Sequence, residues 1–151
     1  MMQLAGVHHL DKPPAQVWAA LFDTETLAAA IPGCEALEQI DENSFAATVK
    51  LKIGPVSARF KGTVEISDIN APYSCTLSGK GNGGIAGFAT GSAQVLLASE
   101  DDMTVLTYSA EAAVGGKLAA LGNRMLKTTA DRLANEFFAN FAKLVSGHAE
   151  A

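Results

Sequence analysis

The sequence predicts an α+β domain in which an antiparallel sheet carries its helices on one face. Three observations lead there. Between Cys34 and Val114 apolar and polar residues alternate with a period of two, most clearly at Val56, Ala58, Phe60, Gly62, Val64 and Ile66 against Ser57, Arg59, Lys61, Thr63, Glu65 and Ser67. Such alternation is the pattern of strands with one buried face. The breaks between runs are a few residues long, too short for parallel crossovers, so neighbouring strands return antiparallel. On either side of the strand region the apolar spacing changes to three and four residues, the period of amphipathic helices.

The elements follow in order. Met2 to Leu10 reads as a first strand, ended by Asp11-Lys12-Pro13-Pro14, where the prolines cannot donate to a ladder and suit entry to a helix. That helix begins near Pro14, with Val17, Trp18, Leu21 and Phe22 on its apolar side. Asp23 is placed to cap a second short helix from Thr24 to about Ala30, and Ile31-Pro32-Gly33 stops it. About six strands come next, separated by Asp41-Glu42-Asn43-Ser44, Gly54-Pro55, Asn70-Ala71-Pro72 and Glu100-Asp101-Asp102, all of them turn chemistry. After Gly115-Gly116 the pattern turns helical to about Ser146, with Leu118, Gly122, Met125, Leu126, Thr129, Leu133, Phe137, Phe141 and Leu144 on one stripe. A helix of thirty residues would measure roughly 45 Å, enough to cross a whole sheet. Segregated helices over an antiparallel sheet are the α+β solution.

The totals bound what such a domain does. A chain of 151 residues fits one domain with a sizeable core. Its 48% hydrophobic and 18% charged content with net charge −5 excludes a disordered chain and argues against a surface built to neutralise nucleic-acid phosphates. Cys34 and Cys75 stand outside any C-x-x-C spacing, and no signal-peptide pattern opens the chain, so two free thiols in a cytoplasmic protein are expected. No apolar stretch approaches the length of a membrane span.

The stretch from Ser78 to Leu97, SGKGNGGIAGFATGSAQVLL, is the unusual one. It spells G-x-G-x-x-G at Gly79, Gly81 and Gly84. A dinucleotide fingerprint needs a helix to open on that motif so that its N-terminus meets the pyrophosphate. Here Ile85-Ala86-Gly87-Phe88-Ala89-Thr90-Gly91 follows, a poor helix, and alternation resumes at Gly91, Ala93, Val95 and Leu97. We therefore expect two antiparallel strands bent around Gly83 to Gly87. Cys75, Leu77, Gly79 and Gly81 then share the inward face with Gly91 and its successors, and Gly62 extends a patch without side chains. Glycine within strands marks either a curled sheet or the close approach of another group, so the patch is read as sheet curvature, an apolar cavity under the long helix, or both.

Through several of these residues the chain resembles CoxG, a family of carbon monoxide dehydrogenase subunits within the START-like (SRPBCC) helix-grip superfamily. The resemblance runs through Val17-Trp18, Leu21-Phe22-Asp23, Ile31-Pro32-Gly33-Cys34-Glu35, Ile53-Gly54-Pro55-Val56, Phe60-Lys61-Gly62, Gly79 to Gly91, Gly115-Gly116-Lys117-Leu118-Ala119 and Leu121-Gly122. It implies a helix-grip domain over residues 1–146, in which a curved antiparallel sheet wraps a long C-terminal helix and the two enclose an apolar tunnel. It also implies a non-catalytic accessory role beside a molybdenum hydroxylase of the carbon monoxide dehydrogenase type, in membrane recruitment or quinone delivery, with no intrinsic cofactor beyond a bound quinone or other apolar ligand. Some members continue into an apolar anchoring tail. Residues 147–151 are short and polar, so anchoring by a tail is not expected here, and peripheral membrane contact would fall to Lys117, Arg124, Lys127, Arg132 and Lys143.

The cavity is expected between Phe60, Leu77, Phe88 and Tyr108 of the sheet and Leu118, Gly122, Met125, Leu126 and Thr129 of the last helix. Gly62, Gly79 and Gly91 would leave its floor open, and Leu21 and Ile31 would stand near its mouth. A glycine inside a helix costs about 1 kcal/mol relative to alanine, so Gly122 suggests close approach there. Helix-grip domains also include cyclases and hydratases, and the alternative reading is a cofactor-free cyclase or hydrolase using Tyr108 and one histidine. His8 and His9 are adjacent, so only one points inward; Glu111 falls on the solvent face; and no three-ligand metal cluster is recognisable. An enzyme needs at least two converging polar groups in its cavity, while a carrier can do with one or none. The apolar inward faces favour the carrier.

Overall fold

The computed structural model describes residues 2–146, so Met1 and the polar tail at 147–151 lie outside the described residues. Strand β1 (Met2–Leu10) leads into α1 (Pro14–Leu21) and α2 (Thr24–Ala30), followed by β2 (Cys34–Asp41), β3 (Ser44–Ile53), β4 (Val56–Asn70), β5 (Ser74–Asn82), β6 (Phe88–Glu100) and β7 (Met103–Gly115), and finally α3 (Asn123–Ser146). The seven strands form one sheet in the order β1-β7-β6-β5-β4-β3-β2, with every neighbouring pair antiparallel. Each hairpin from β2 to β7 adds a strand beside the last, and β1 then joins the far edge against β7.

Local chemistry explains the helix starts. Pro14 occupies the first helical position of α1. Asp23 caps α2 by accepting hydrogen bonds from the backbone N–H of Thr26 at 3.0 Å and its hydroxyl at 2.6 Å, which satisfies donors that the first helical turn leaves open.

The glycine-rich segment forms β5 and β6, paired Gly79 to Gly91 and Gly81 to Ala89. The turn between them is a short 3-10 segment, Gly84–Ala86, and no α-helix follows the G-x-G-x-x-G residues. The last helix differs from expectation. Residues Gly116–Leu121 form a 3-10 turn and α3 begins only at Asn123, so its 24 residues extend about 36 Å. Gly122 is the junction between the two, with φ at +88°, a conformation that favours glycine. It does not lie inside a helix, and nothing approaches it closely: a Cβ there would meet nothing within 4 Å.

Two apolar clusters hold the layers together. The larger gathers Leu10, Val17, Phe45, Ile66, Val95, Leu97, Leu106, Tyr108 and Phe141 where α1, α2 and the C-terminal part of α3 close on the sheet. The smaller joins Ile53, Phe60, Ala86, Leu118 and Leu126 at the other end. Helix α3 packs chiefly on α2 and β1. Between the two clusters the inner face of the central strands carries mostly glycine and alanine.

Candidate functional site

That stretch of small residues floors a shallow, widely open apolar cleft of about 390 Å³ lined by strand residues alone, so the last helix does not wall it as the sequence leads one to expect. Alternation sets its floor: Leu77, Gly79 and Gly81 of β5, Ala89, Gly91 and Ala93 of β6, Ala110 and Ala112 of β7, and Val64 of β4, with Lys80, Thr90, Ser92 and Glu111, which alternate with them along the strands, also bordering it. The volume lies within the range of small-molecule sites. A larger groove of about 650 Å³ runs on the opposite side of the sheet, flanked by Thr48, Lys61, Thr63, Lys80, Asn82 and Phe88. It is a trough across the outer faces of β2 to β6 with lysines on its walls, whereas the inner cleft is floored by apolar side chains, which makes the inner cleft the better site for an apolar ligand.

The glycines of the floor are not equivalent. A Cβ at Gly81 would find its nearest neighbour 3.9 Å away, and at Gly79 it would make ordinary contacts at 3.4 Å and 3.5 Å. These two leave real space. At Gly91 it would lie 3.0 Å from the carbonyl oxygen of Glu111, and at Gly62, which the sequence placed in the floor but which lies outside the cleft lining, 2.6 Å from that of Lys80. Those glycines are there for the neighbouring strand, whose backbone comes close where the sheet curls. Both readings of the patch thus apply, at different residues.

The structure separates the expected cavity residues into four groups. Leu77, Gly79 and Gly91 line the cleft. Phe60, Leu118 and Leu126 form the smaller core cluster that bounds one end, and Tyr108 belongs to the larger one, with Leu21 packed against it. Thr129 and Ile31 are half-buried and outside the lining. Phe88 and Met125 are corrections. Phe88 is 51% exposed because the alternation that turns Gly91 and Ala93 inward turns Phe88 outward. Met125 is 40% exposed and lies over Gly54 of the β3–β4 turn, since α3 starts too late to turn it onto the sheet. Ala110 and Ala112 share the face of Tyr108 and join the lining by the same alternation.

One polar feature emerges only in three dimensions. His8 is the inward member of the histidine pair, and its imidazole stacks on Phe138 with ring centres 4.1 Å apart and on Tyr108 at 6.0 Å. Its Nε2 is buried and has no hydrogen-bond partner. Burial, assisted by neighbouring His9, pushes the His8 pKa below the ordinary imidazole value, so the ring is held neutral. The ring of Tyr108 lies across Gly6, its register partner on β1, where any side chain would collide with it. Burial raises the Tyr108 pKa, Asp131 adds to the rise and Lys127 opposes it, so the phenol stays protonated. Buried Cys75 is likewise raised by desolvation and is a poor nucleophile. Among the described residues no group of three His, Cys, Asp or Glu side chains is placed to hold a metal ion.

Residues 6–146 match the carbon monoxide dehydrogenase family CoxG. A conserved protein from Geobacillus kaustophilus is similar throughout, with 34% identity, 97% of this chain and 96% of that chain covered, and a TM-score of 0.90. A START superfamily protein from Mycobacterium smegmatis aligns at 10% identity over 97% of this chain and 99% of that one, with a TM-score of 0.75. The Zhui aromatase/cyclase from Streptomyces sp. R1128 aligns at 11% identity over 95% and 93%, with a TM-score of 0.70. At such identities the last two show the fold alone, and that fold is the START-like helix-grip. No curated protein matches the chain.

Proposed function

Because this chain belongs to the CoxG family of carbon monoxide dehydrogenase subunits, we propose that it is a non-catalytic accessory protein. It holds a quinone- or lipid-like molecule in the inner cleft and serves a molybdenum hydroxylase of the carbon monoxide dehydrogenase type. The observation that carries this reading is the cleft itself, floored by Leu77, Gly79, Gly81, Ala93, Ala110 and Ala112, whose side chains are all apolar or absent. Such a surface fits an apolar group, whose burial contributes about 25 cal/mol per Å². It offers nothing to a reacting centre. A protonated Tyr108 in the adjoining cluster is the nearest aromatic donor to this floor along β7.

The test is calorimetric titration of the full chain with a short-chain quinone analogue. The parent protein binds it, and Gly81→Leu, which fills open space without backbone strain, abolishes binding while melting within a few degrees of the parent. Failure of the parent to bind, or equal binding by a folded Gly81→Leu protein, would overturn the reading.

A second reading, a cofactor-free cyclase or hydrolase, draws on the unpartnered Nε2 of His8 beside Tyr108, a neutral base near a phenol. It requires turnover of a bound ligand that is lost in His8→Gln. The carrier reading expects the ligand to be recovered unchanged from both proteins.

A further inference from the structure

The outer trough of about 650 Å³ differs from the inner cleft in its chemistry. It crosses the solvent-facing side chains of β2 to β6, and the strand register sets these in two neighbouring rows. One row runs Thr48, Lys61, Asn82 and Phe88. The next runs Thr63, Lys80 and Thr90. Small outward residues on β2 and β3, Ala36 and Ala46, give the trough its depth. Lys61 and Lys80 are diagonal neighbours on adjacent strands, roughly 7–8 Å apart at the sheet surface, so both ammonium groups can reach one anion. Both residues are exposed, and neither joins an ion pair among the described residues. The one acid of the lining, Glu38, stands at the far β2 edge.

The other end of the trough carries an aromatic ring. The tip of Phe88 fills the place that a side chain at Gly115, its register partner on β7, would take. The ring thus lies low along the sheet instead of standing off it, and it is still 51% exposed. Beside it, the Asn82 side chain is fixed by Gly84 N–H, which donates to Asn82 Oδ1 at 2.7 Å, so its amide nitrogen is the part left to donate. Phe88 and Lys61 stand two strands apart, about 10 Å at the usual strand spacing. From β6 to β4 the trough is therefore aromatic, then neutral and polar, then cationic.

We propose that the outer trough is a second small-molecule site, for a mononucleotide. The planar base rests on Phe88, the sugar hydroxyls meet Asn82 and Thr90, and the phosphate sits between Lys61 and Lys80. The order of chemistry along the trough is that of base, sugar and phosphate. A base gains by stacking on an aromatic side chain whatever its identity, and lysines bind phosphate as point charges. A single-stranded nucleic acid would need further aromatic platforms along a longer cationic track; here one ring lines the trough, and a chain of net charge −5 repels an extended polyanion beyond it. The trough lies on the opposite face of the strands from the cleft, so the proposal does not depend on what fills the cleft.

The test is calorimetric titration of the full chain with adenosine 5′-monophosphate, adenosine and ribose 5-phosphate at low salt. The parent binds the monophosphate, and each fragment binds about tenfold more weakly or worse. Added salt weakens the monophosphate. Phe88→Leu, which keeps apolar cover over Gly115 and removes the ring, and the double change Lys61→Met, Lys80→Met each lower its affinity by about tenfold or more. Lys52→Met, at an exposed lysine on the same face of β3 outside the trough, leaves it unchanged, and all variants melt like the parent. A short-chain quinone analogue does not compete. The proposal is overturned if the parent does not bind the monophosphate, if ribose 5-phosphate binds equally well, if Lys52→Met loses as much as the double change, or if folded variants of Phe88 and the two lysines bind like the parent. It is equally overturned if the quinone analogue displaces the monophosphate, or if a single-stranded oligonucleotide or an acidic peptide does so at far lower concentration.

Discussion

At the scale of single residues, the decisive distinction lies between glycines that leave space and glycines that another strand occupies. Gly91 belongs to the second kind, since its Cβ would press on the Glu111 carbonyl at 3.0 Å. Gly91→Leu is expected to lower the melting temperature clearly, by the 1–3 kcal/mol or so typical of overpacking, whereas Gly81→Leu is not. Comparing the two melts checks this, and a loss of binding in Gly91→Leu alone would say nothing about the cleft. His8 acts through charge. Its folded pKa lies below the ordinary imidazole value, so the unfolded chain takes up the proton first. The stability tied to neutral His8 is fully present above about pH 6.5 and is lost as pH falls through the lowered pKa. The charged groups around it are His9 on the same strand and the Lys127–Asp131 pair of α3, which acts on the neighbouring Tyr108. Urea unfolding on either side of that pH should show the loss in the parent, and His8→Phe, which keeps the stack on Phe138, should flatten it.

At the scale of elements, short helices depend on their ends. Helix α2 has only seven residues, and Asp23 supplies its N-cap through two hydrogen bonds. Asp23→Ala should cost about 1 kcal/mol, read as a shift in the urea midpoint without a change in slope. The other end of α2 is held by tertiary structure, where the Asn140 side chain of α3 donates to the Ala30 carbonyl at 3.1 Å. Helix α3 shows how an apolar stripe misleads. The residues from Leu118 to Leu126 keep the helical spacing, yet Gly116 and Gly122 adopt positive φ and divide the segment into a 3-10 turn and a helix. The shift displaces the helix start enough to leave Met125 outside the cleft, over Gly54.

At the scale of the whole molecule, the cleft lies on the central strands between two core clusters, one at each end of the sheet. Phe137, Phe138 and Phe141 fill the space where α3 meets α2 and β1, and Leu118 and Leu126 close the other end on Phe60. Between them the inner face of β5 to β7 is glycine and alanine with Leu77, and α3, packed on α2 and β1, does not line it. The sequence by itself determined the α+β class, the order of the elements, both short helices with their cap, the antiparallel glycine-rich hairpin and the inward faces of the strands, because periodicity and turn chemistry are local properties. It also carried the family motifs. Only the tertiary structure decided which glycines face space, that His8 stacks on Phe138 and Tyr108, that α3 begins at Asn123, and that Lys61, Lys80 and Phe88 share one outer trough. Each of those depends on which strand or helix lies opposite, and a residue's own neighbours along the chain do not contain that information.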